Sequence, residues 1–205
     1  MFNALNSIQE MIVVNNKRAA STYLGKFADL MRLYLNHSQE KRVTLAEELE
    51  ALQLYLELEQ VRFEDTLTID LQIAPDISPE ALTLPPMLLQ PYVENAFKHG
   101  LLHQTAARHL KINFILDKVK NGLCCSIQDN GIGRTASAQL KEARHGHQSF
   151  ATSATERRLN LLNHNKVNAI TVDIEDLVDE QGKALGTAVY ICIPLGWREA
   201  DPTTE

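Results

Sequence analysis

Four polar side chains within residues 89–100 have the types and the spacing that metal and phosphate chemistry requires. They lie on consecutive turns of one predicted helix: Glu94, Asn95, Lys98 and His99. Side chains three and four positions apart share a helix face, so Asn95 and Lys98 can contact one ligand. An amide oxygen suits Mg²⁺, and an ammonium group suits phosphate. The solvated face of an ordinary amphipathic helix would look the same, so the segment alone leaves both interpretations open.

The apolar residues of this segment indicate how the polar ones are positioned. Residues at spacings of three and four form its predicted buried side: Leu89, Tyr92, Val93, Ala96 and Phe97. The polar cluster would then occupy the opposite side of the helix.

Two further stretches contain glycines that could bring backbone close to a ligand. The sequence DNGIG at residues 129–133 follows the apolar run 123–127 and is predicted to be the loop that leaves a strand. Its glycines permit close approach of the backbone to a ligand, although any tight turn after a strand could use them. Gly186 and Thr187 open a second apolar run, 188–194, which is another predicted strand.

In this order the three stretches resemble the ATP-binding domain of histidine kinases, gyrase-type topoisomerases, heat-shock chaperones and mismatch-repair ATPases, the Bergerat or GHKL fold. Residues 2–8, 44–63 and 84–91 resemble the LytS-type sensor histidine kinases more specifically. In that family the phosphate-accepting histidine lies in the motif His-Phe-Leu-Phe-Asn, of which Phe2-Asn3 remain. The acceptor is therefore expected two residues upstream of Met1, in a protein cut just after its phosphorylation site.

The resemblance implies how the phosphate end of an ATP site would work. Asn95 would coordinate Mg²⁺, and Lys98 would contact the phosphates. These roles agree with phosphoryl transfer, which depends mainly on positioning and charge neutralisation. Glu94 corresponds to the general base of the hydrolytic relatives, and in a kinase it would polarise the acceptor imidazole.

The resemblance also implies how adenine would be held. Asp129 would accept a hydrogen bond from the adenine amino group, and Thr187 would join the same network. Gly131 and Gly133 would leave space for base and sugar. His99 takes the place of an aromatic residue beside the nucleotide, where its imidazole would stack.

Between 132 and 155 the sequence is polar and has no apolar period. In the resembled family this region is the ATP lid, here predicted at about 134–154; a plain surface insertion is the alternative. At its end Ala151 replaces a glycine of the phosphate loop. Glycine permits close approach of backbone N–H groups to phosphate, so ATP binding is expected to be weakened without being abolished.

Composition excludes several classes of protein. The 205 residues carry a net charge of −6, which argues against nucleic-acid binding. No apolar stretch approaches the roughly 18 residues of a membrane span, so the chain is expected to be soluble and cytosolic. The resemblance implies that it is the cytoplasmic part of an inner-membrane protein. The three cysteines are expected to be reduced, buried thiols. His145 and His147 are expected to be solvated, with a metal site as the alternative.

The predicted fold class is α+β. Residues 1–64 would form a helical dimerisation segment in which Thr44 and Glu47 cap one helix, with a monomeric helical hairpin as the alternative. Alternating strands, with a hairpin turn at Asn121-Gly122, predict that residues 65–200 form a Bergerat-type α/β sandwich. This is a mixed sheet with helices on one face.

The predicted function is that of a sensor histidine kinase of a two-component system. The resemblance implies that MgATP supplies a γ-phosphoryl group to a histidine, which passes it to an aspartate of a response regulator. The resemblance also implies a homodimer through the N-terminal helices and a membrane anchor in the full-length protein. A catalytically weak nucleotide-binding or dimerisation module is the alternative, and ATP hydrolysis is a third possibility.

Overall fold

A computed structural model describes residues 8–9, 12–13, 17–105, 107–144 and 150–197, with backbone alone for 64, 141–144 and 150–153. Its contacts divide the chain into two compact units. Unit 1 is residues 1–67 with 79–90, and unit 2 is residues 68–78 with 91–205. Within the described ranges, no helix has the length and apolar character needed to cross a membrane.

Unit 1 is built on two helices, α1 (Lys17–His37) and α2 (Leu45–Phe63). Tyr23 and Leu30 of α1 pack with Ala51 and Leu58 of α2 in one apolar cluster. The α1 residues of this side recur at spacings of three and four, as a buried helix face requires. The periodicity also predicts that Leu24 faces the core, and this is wrong: Leu24 is 50% exposed, whereas Tyr23 is 4% exposed.

The start of α2 confirms the predicted capping box. The Glu47 backbone N–H donates to Thr44 Oγ1 at 3.2 Å, and the Thr44 N–H donates to the Glu47 carboxylate at 2.7 Å. The backbone hydrogen bond from Thr44 holds the pKa of Glu47 below its usual value. These reciprocal bonds satisfy donors that a helix terminus leaves unpaired, so they set where α2 begins.

A buried carboxylate connects α2 to the chain that follows it in unit 1. Glu48 is 3% exposed and accepts hydrogen bonds from the backbone N–H groups of Met87 (2.8 Å) and Leu89 (3.1 Å). Beside it, the short strands β1 (Val43–Thr44) and β3 (Thr83–Leu84) pair antiparallel. Segment 83–89 is therefore attached to the N-terminal turn of α2 by its backbone.

Unit 2 contains a five-stranded sheet in the order β2-β4-β5-β7-β6. Its strands are β2 (Leu67–Ile73), β4 (Arg108–Asp117), β5 (Gly122–Asp129), β6 (Thr171–Val178) and β7 (Ala184–Pro194). The predicted hairpin is confirmed: β4 and β5 pair antiparallel across Asn121, whose φ is +46°.

The helices of unit 2 are α3 (Gln90–Asn95), α4 (Arg134–Arg144) and α5 (Phe150–Asn163). On the three central strands, β4, β5 and β7, one face of the sheet is buried, and four of its residues are at most 1% exposed: Ile112, Phe114, Ile127 and Ile191. Their strand neighbours on the other face include exposed positions such as Ile115, at 44%. The predicted fold class, α+β with a mixed sheet and helices, is confirmed.

Segment 132–155 differs from its prediction in one part and lies outside the described residues in another. Helices α4 and α5 occupy much of segment 132–155, where no apolar period predicts structure. Its Ala, Gln, Leu, Lys, Glu and Arg residues have high helix propensity, which favours a helix without an apolar stripe. The pair His145 and His147 lies outside the described residues, and so does the side chain of Ala151.

The expectation of reduced cysteines is wrong for two of the three. Cys124 on β5 and Cys192 on β7 occupy paired positions of the antiparallel ladder and are joined by a disulfide. They are 68 positions apart in sequence, so strand pairing alone brings them together. Cys125 is a buried thiol outside the disulfide, as expected.

Candidate functional site

The polar cluster lies on a helix that changes its geometry along its length. Helix α3 ends at Asn95, a π-helical turn follows from Ala96 to Gly100, and a short 3₁₀ turn completes the segment. The prediction of one continuous helix is therefore only partly right. Its buried side is confirmed, since the predicted residues are all at most 6% exposed: Leu89, Tyr92, Val93, Ala96 and Phe97. π-helical turns are rare and occur frequently at functional sites.

The three predicted stretches lie together at Asp129. A Cβ atom at Gly100 would overlap the carboxylate of Asp129, and one at Gly131 would overlap the backbone of Gly100. A Cβ atom at Gly186 would overlap the Asp129 carbonyl oxygen. The Ile132 N–H points to the Gly100 carbonyl at 3.4 Å. Glycines from three separate segments therefore meet at Asp129, where a side chain on any of them would not fit.

Asp129 is held in a defined orientation at this meeting point. It is 6% exposed, and its Oδ1 accepts a hydrogen bond from the Gly131 N–H at 2.8 Å. Burial raises the pKa of Asp129 to about 6, although hydrogen bonds from the backbone of Gly131 and Thr187 lower it. The carboxylate thus has two fixed donors and an unusual affinity for protons.

The sheet register places further polar residues in a row with Asp129. Thr187 on β7 pairs with Asp129 on β5 on one side and with Asp176 on β6 on the other. Two glycines near this row have left-handed backbone: φ is +78° at Gly133, in the loop after β5, and +137° at Gly186, within β7. Glycine adopts such angles without the steric cost that a Cβ atom brings.

Asn130 has a structural role in the DNGIG loop. Its side chain accepts a hydrogen bond from the His109 N–H (2.7 Å) and donates one to the Ala107 carbonyl (2.8 Å). The loop is thereby fastened to the start of β4, which leaves Asp129 as its buried acidic group.

The phosphate-end residues predicted from sequence lie together on α3 and the π turn. Lys98 donates to the Glu94 carboxylate at 2.5 Å, in an ion pair whose side chains are 39% and 29% exposed. Asn95 and His99 are half-buried. In this state the Lys98 ammonium is therefore neutralised by Glu94, one helical turn away.

A magnesium ion would have few protein ligands at this site. Among the described residues, no group of three or more His, Cys, Asp or Glu side chains could hold a metal ion. An amide such as that of Asn95 fits a Mg²⁺ that takes most of its ligands from phosphate oxygens and water, the usual way in which proteins bind this ion with nucleotides.

Two residues near the site were missed by sequence reasoning. Gly100 follows the polar cluster directly, and its position there was the available signal. Arg134, the first residue of α4, donates two hydrogen bonds of 2.7 Å to the carboxylate of Asp176. This bidentate pair raises the pKa of Arg134 and lowers that of Asp176. The pair attaches the start of α4 to β6, the strand next to Thr187. No local sequence pattern predicts this pair.

Comparison with a solved structure shows the fold. The histidine kinase domain of the EL346 blue-light activated histidine kinase from Erythrobacter litoralis matches with a TM-score of 0.51. The match covers 91% of this chain and 83% of that one, at 13% sequence identity. At such identity the likeness carries the fold alone, and it agrees with the predicted class.

Sequence comparison reaches the family. Residues 1–67 match the family model described as histidine kinase. The chain is 32% identical over 200 residues to Sensor protein LytS of Streptococcus agalactiae, covering 97% of this chain and 32% of that protein. It is 29% identical over 193 residues to Sensor protein LytS of Staphylococcus epidermidis, covering 94% of this chain and 31% of that protein. It thus spans about a third of the length of these relatives, and the matches show that it belongs to the LytS-type histidine kinases.

Proposed function

We propose that this chain is the catalytic part of a sensor histidine kinase of a two-component system. It binds MgATP and transfers the γ-phosphoryl group to a histidine, from which an aspartate of a response regulator receives it. The observation that carries the proposal is the convergence of three glycine-containing segments at Asp129, whose carboxylate is buried.

Asp129 would recognise the adenine base. Its carboxylate is oriented by two backbone donors, and in its ionised form it accepts a further hydrogen bond from an exocyclic amino group. Guanine presents a carbonyl at the equivalent position, which a carboxylate repels, so the site would select ATP over GTP. Thr187 lies beside it in the sheet, while Gly131 and Gly133 leave space for base and sugar.

The residues of α3 and the π turn would hold the phosphates. Lys98 would exchange its ion pair with Glu94 for phosphate oxygens, and Asn95 would supply an amide oxygen to Mg²⁺. Glu94, freed from Lys98, would then be available to polarise the acceptor imidazole. His99 would stack beside the nucleotide. Binding and activation of Glu94 would thus be coupled through one ion pair.

Further properties belong to the same proposal. The segment at about 134–154 would act as the lid, and the helices of residues 1–64 would pair in a homodimer. The full-length protein would be anchored in the inner membrane with this part in the cytoplasm. Such a kinase acts on a protein partner, the response regulator, and does not require nucleic acid.

One observation favours the alternative, a nucleotide-binding module without phosphoryl transfer. Ala151 stands where a glycine of the phosphate loop is expected. Since a Cβ atom restricts φ and hinders close approach of backbone N–H groups to phosphate, this chain could bind ATP without positioning it for transfer.

The test uses a longer chain that includes the predicted upstream histidine, incubated with Mg²⁺ and γ-labelled ATP. The kinase proposal expects an acid-labile, base-stable label on that histidine, lost in Asn95→Ala. The matched control is Asn113→Ala, which removes a half-buried amide from strand β4 and should leave labelling intact. Measurable ATP binding without any label would support the alternative module, and steady release of phosphate would indicate hydrolysis.

A further inference from the structure

The sheet of unit 2 carries a pair of cysteines on neighbouring strands. Cys124 and Cys192 face each other in the β5–β7 ladder with Cα atoms 4.1 Å apart, and a disulfide joins them. Consecutive strand residues point to opposite faces, so Cys125 lies on the other face, where it is buried and carries a thiol outside the disulfide. Of the three cysteines of the chain, Cys124 and Cys192 are therefore the pair.

The pair borders the more open face of the sheet. Ile115, the partner of Cys124 on β4, is 44% exposed, and Thr171, the partner of Cys192 on β6, is also exposed. The two cysteines are themselves 8% exposed. A small reagent therefore reaches them from this side more readily than a large one.

A lysine distinguishes one sulfur from the other. Lys120, in the turn between β4 and β5, places its Nζ 3.7 Å from Cys192 Sγ. An ammonium group next to a reduced cysteine stabilises the thiolate, which is the reactive nucleophile. Cys192 is thus the sulfur that reacts first, and Cys124 is within bonding distance to resolve the product.

We propose that Cys124 and Cys192 form a reversible modification site oxidised by hydroperoxides. The Cys192 thiolate attacks the O–O bond and becomes a sulfenic acid, while the departing oxygen takes a proton and leaves as alcohol or water. The Cys124 thiol then attacks the sulfenic sulfur; the S–S bond forms, the S–O bond breaks, and water leaves. Two electrons pass from the sulfurs to the peroxide. A dithiol reverses the change by two exchange steps and becomes a disulfide itself.

The bond has a defined consequence for the sheet. It cross-links β5 and β7, the strands that also carry Asp129 and Thr187. Because it closes a loop between residues 68 positions apart, it restricts the unfolded chain and stabilises unit 2. The nucleotide end of both strands is thereby fastened without a contact between the sulfurs and the site.

Thiol counting tests the proposal. The fully reduced protein is treated with equimolar hydrogen peroxide, denatured, labelled with a maleimide and weighed by mass spectrometry. We expect free thiols to fall from three to one, with Cys125 the labelled residue, and to return to three after dithiothreitol. The oxidised form should melt several degrees higher. Retention of all three thiols, a bond to Cys125 or a bond between two molecules would overturn the proposal.

Variants separate the steps. In Cys125→Ser the count should fall from two to none, as a matched control. In Cys124→Ser oxidation should stop at a sulfenic acid on Cys192, trapped by dimedone. Lys120→Gln should form the same disulfide several-fold more slowly; oxidation at the wild-type rate would refute the role of Lys120. Since these measurements do not use ATP, failure of the kinase proposal would leave their outcome unchanged.

Discussion

Two buried carboxylates, one in each unit, have similar hydrogen bonds and different surroundings. Glu48 is 3% exposed and Asp129 is 6% exposed, and each accepts two backbone N–H groups. The donors of Glu48 come from Met87 and Leu89, about 40 positions along the chain, so Glu48 ties two segments together. Asp129 instead lies among glycines. A buried carboxylate therefore does not by itself indicate a binding site. The glycines around Asp129, which have no side chains, do.

Removal of the Glu48 carboxylate should produce the largest effect. Glu48→Ala removes the acceptor of one buried and one half-buried backbone N–H group, each at a cost of about 1–3 kcal/mol, so the free energy of unfolding of unit 1 should fall by roughly 3 kcal/mol. Denaturant unfolding measures this. The exposed Glu50→Ala on the same helix is the control and should change stability by less than about 0.5 kcal/mol. Equal effects of the two variants would show that Glu48 does not tie the segments together.

Gly100→Ala should damage the candidate site directly. The added methyl group overlaps the Asp129 carboxylate and must displace it, so MgATP affinity should fall by at least about tenfold, or 1.4 kcal/mol. Calorimetric titration measures the affinity. Gly25→Ala, with open space around its Cβ position in helix α1, is the control and should leave affinity unchanged. An unchanged affinity in Gly100→Ala would remove Asp129 from the nucleotide site.

The raised pKa of Asp129 should give two pH effects of opposite sign. Adenine needs the ionised carboxylate, so affinity should fall by up to about tenfold per pH unit below the pKa, which is about 6. The folded protein binds this proton more tightly than the unfolded chain does, so the stability that Asp129 contributes is greatest at low pH and decreases as pH rises through its pKa.

The difference between wild type and Asp129→Asn isolates both effects, because other groups titrate equally in the two proteins. Affinity and unfolding free energy are measured from pH 5 to pH 8. A constant difference across this range would contradict the assignment, and an unchanged affinity in Asp129→Asn would exclude adenine recognition by this residue.

The smallest effect is expected at the ion pair outside the glycine-lined region. Arg134 and Asp176 are 52% and 42% exposed, and exposed pairs contribute about 0–1 kcal/mol. Arg134→Lys loses the bidentate geometry and should raise KM for ATP about two- to three-fold. The free energy of unfolding should change by no more than about 1 kcal/mol. The double variant Arg134→Ala with Asp176→Ala should be no worse than either single one. An additive loss would mean that the residues act separately.

Local patterns predicted much of this protein. The capping box of Thr44 and Glu47, the hairpin at Asn121 and the buried side of segment 89–97 all depend on neighbours a few positions apart, and all are confirmed. The three stretches that the sequence singles out do lie close together, and they meet at Asp129. The roles of Asn95, Lys98 and the other site residues stay predictions.

Contacts between distant segments account for the errors and omissions. Leu24 fits an apolar stripe as well as Tyr23 does, and packing against α2 decided between them. In the sequence Glu48 does not differ from the other acidic residues of its helix. Only the fold places the backbone N–H groups of Met87 and Leu89 against its carboxylate. Gly100 has no special meaning until Asp129 lies against it. Local periodicity cannot predict any of these contacts, because they join residues that are far apart in the sequence.

The order of residues along the chain was sufficient to establish the type of each element and the chemical groups it carries, because propensity, capping and periodicity act over one or two turns. Folding in three dimensions decided which of those groups meet. Strand register brought Cys124 to Cys192 and aligned Asp129, Thr187 and Asp176. Burial then changed their chemistry, since the proton affinity of Asp129 depends on the solvent that its neighbours exclude.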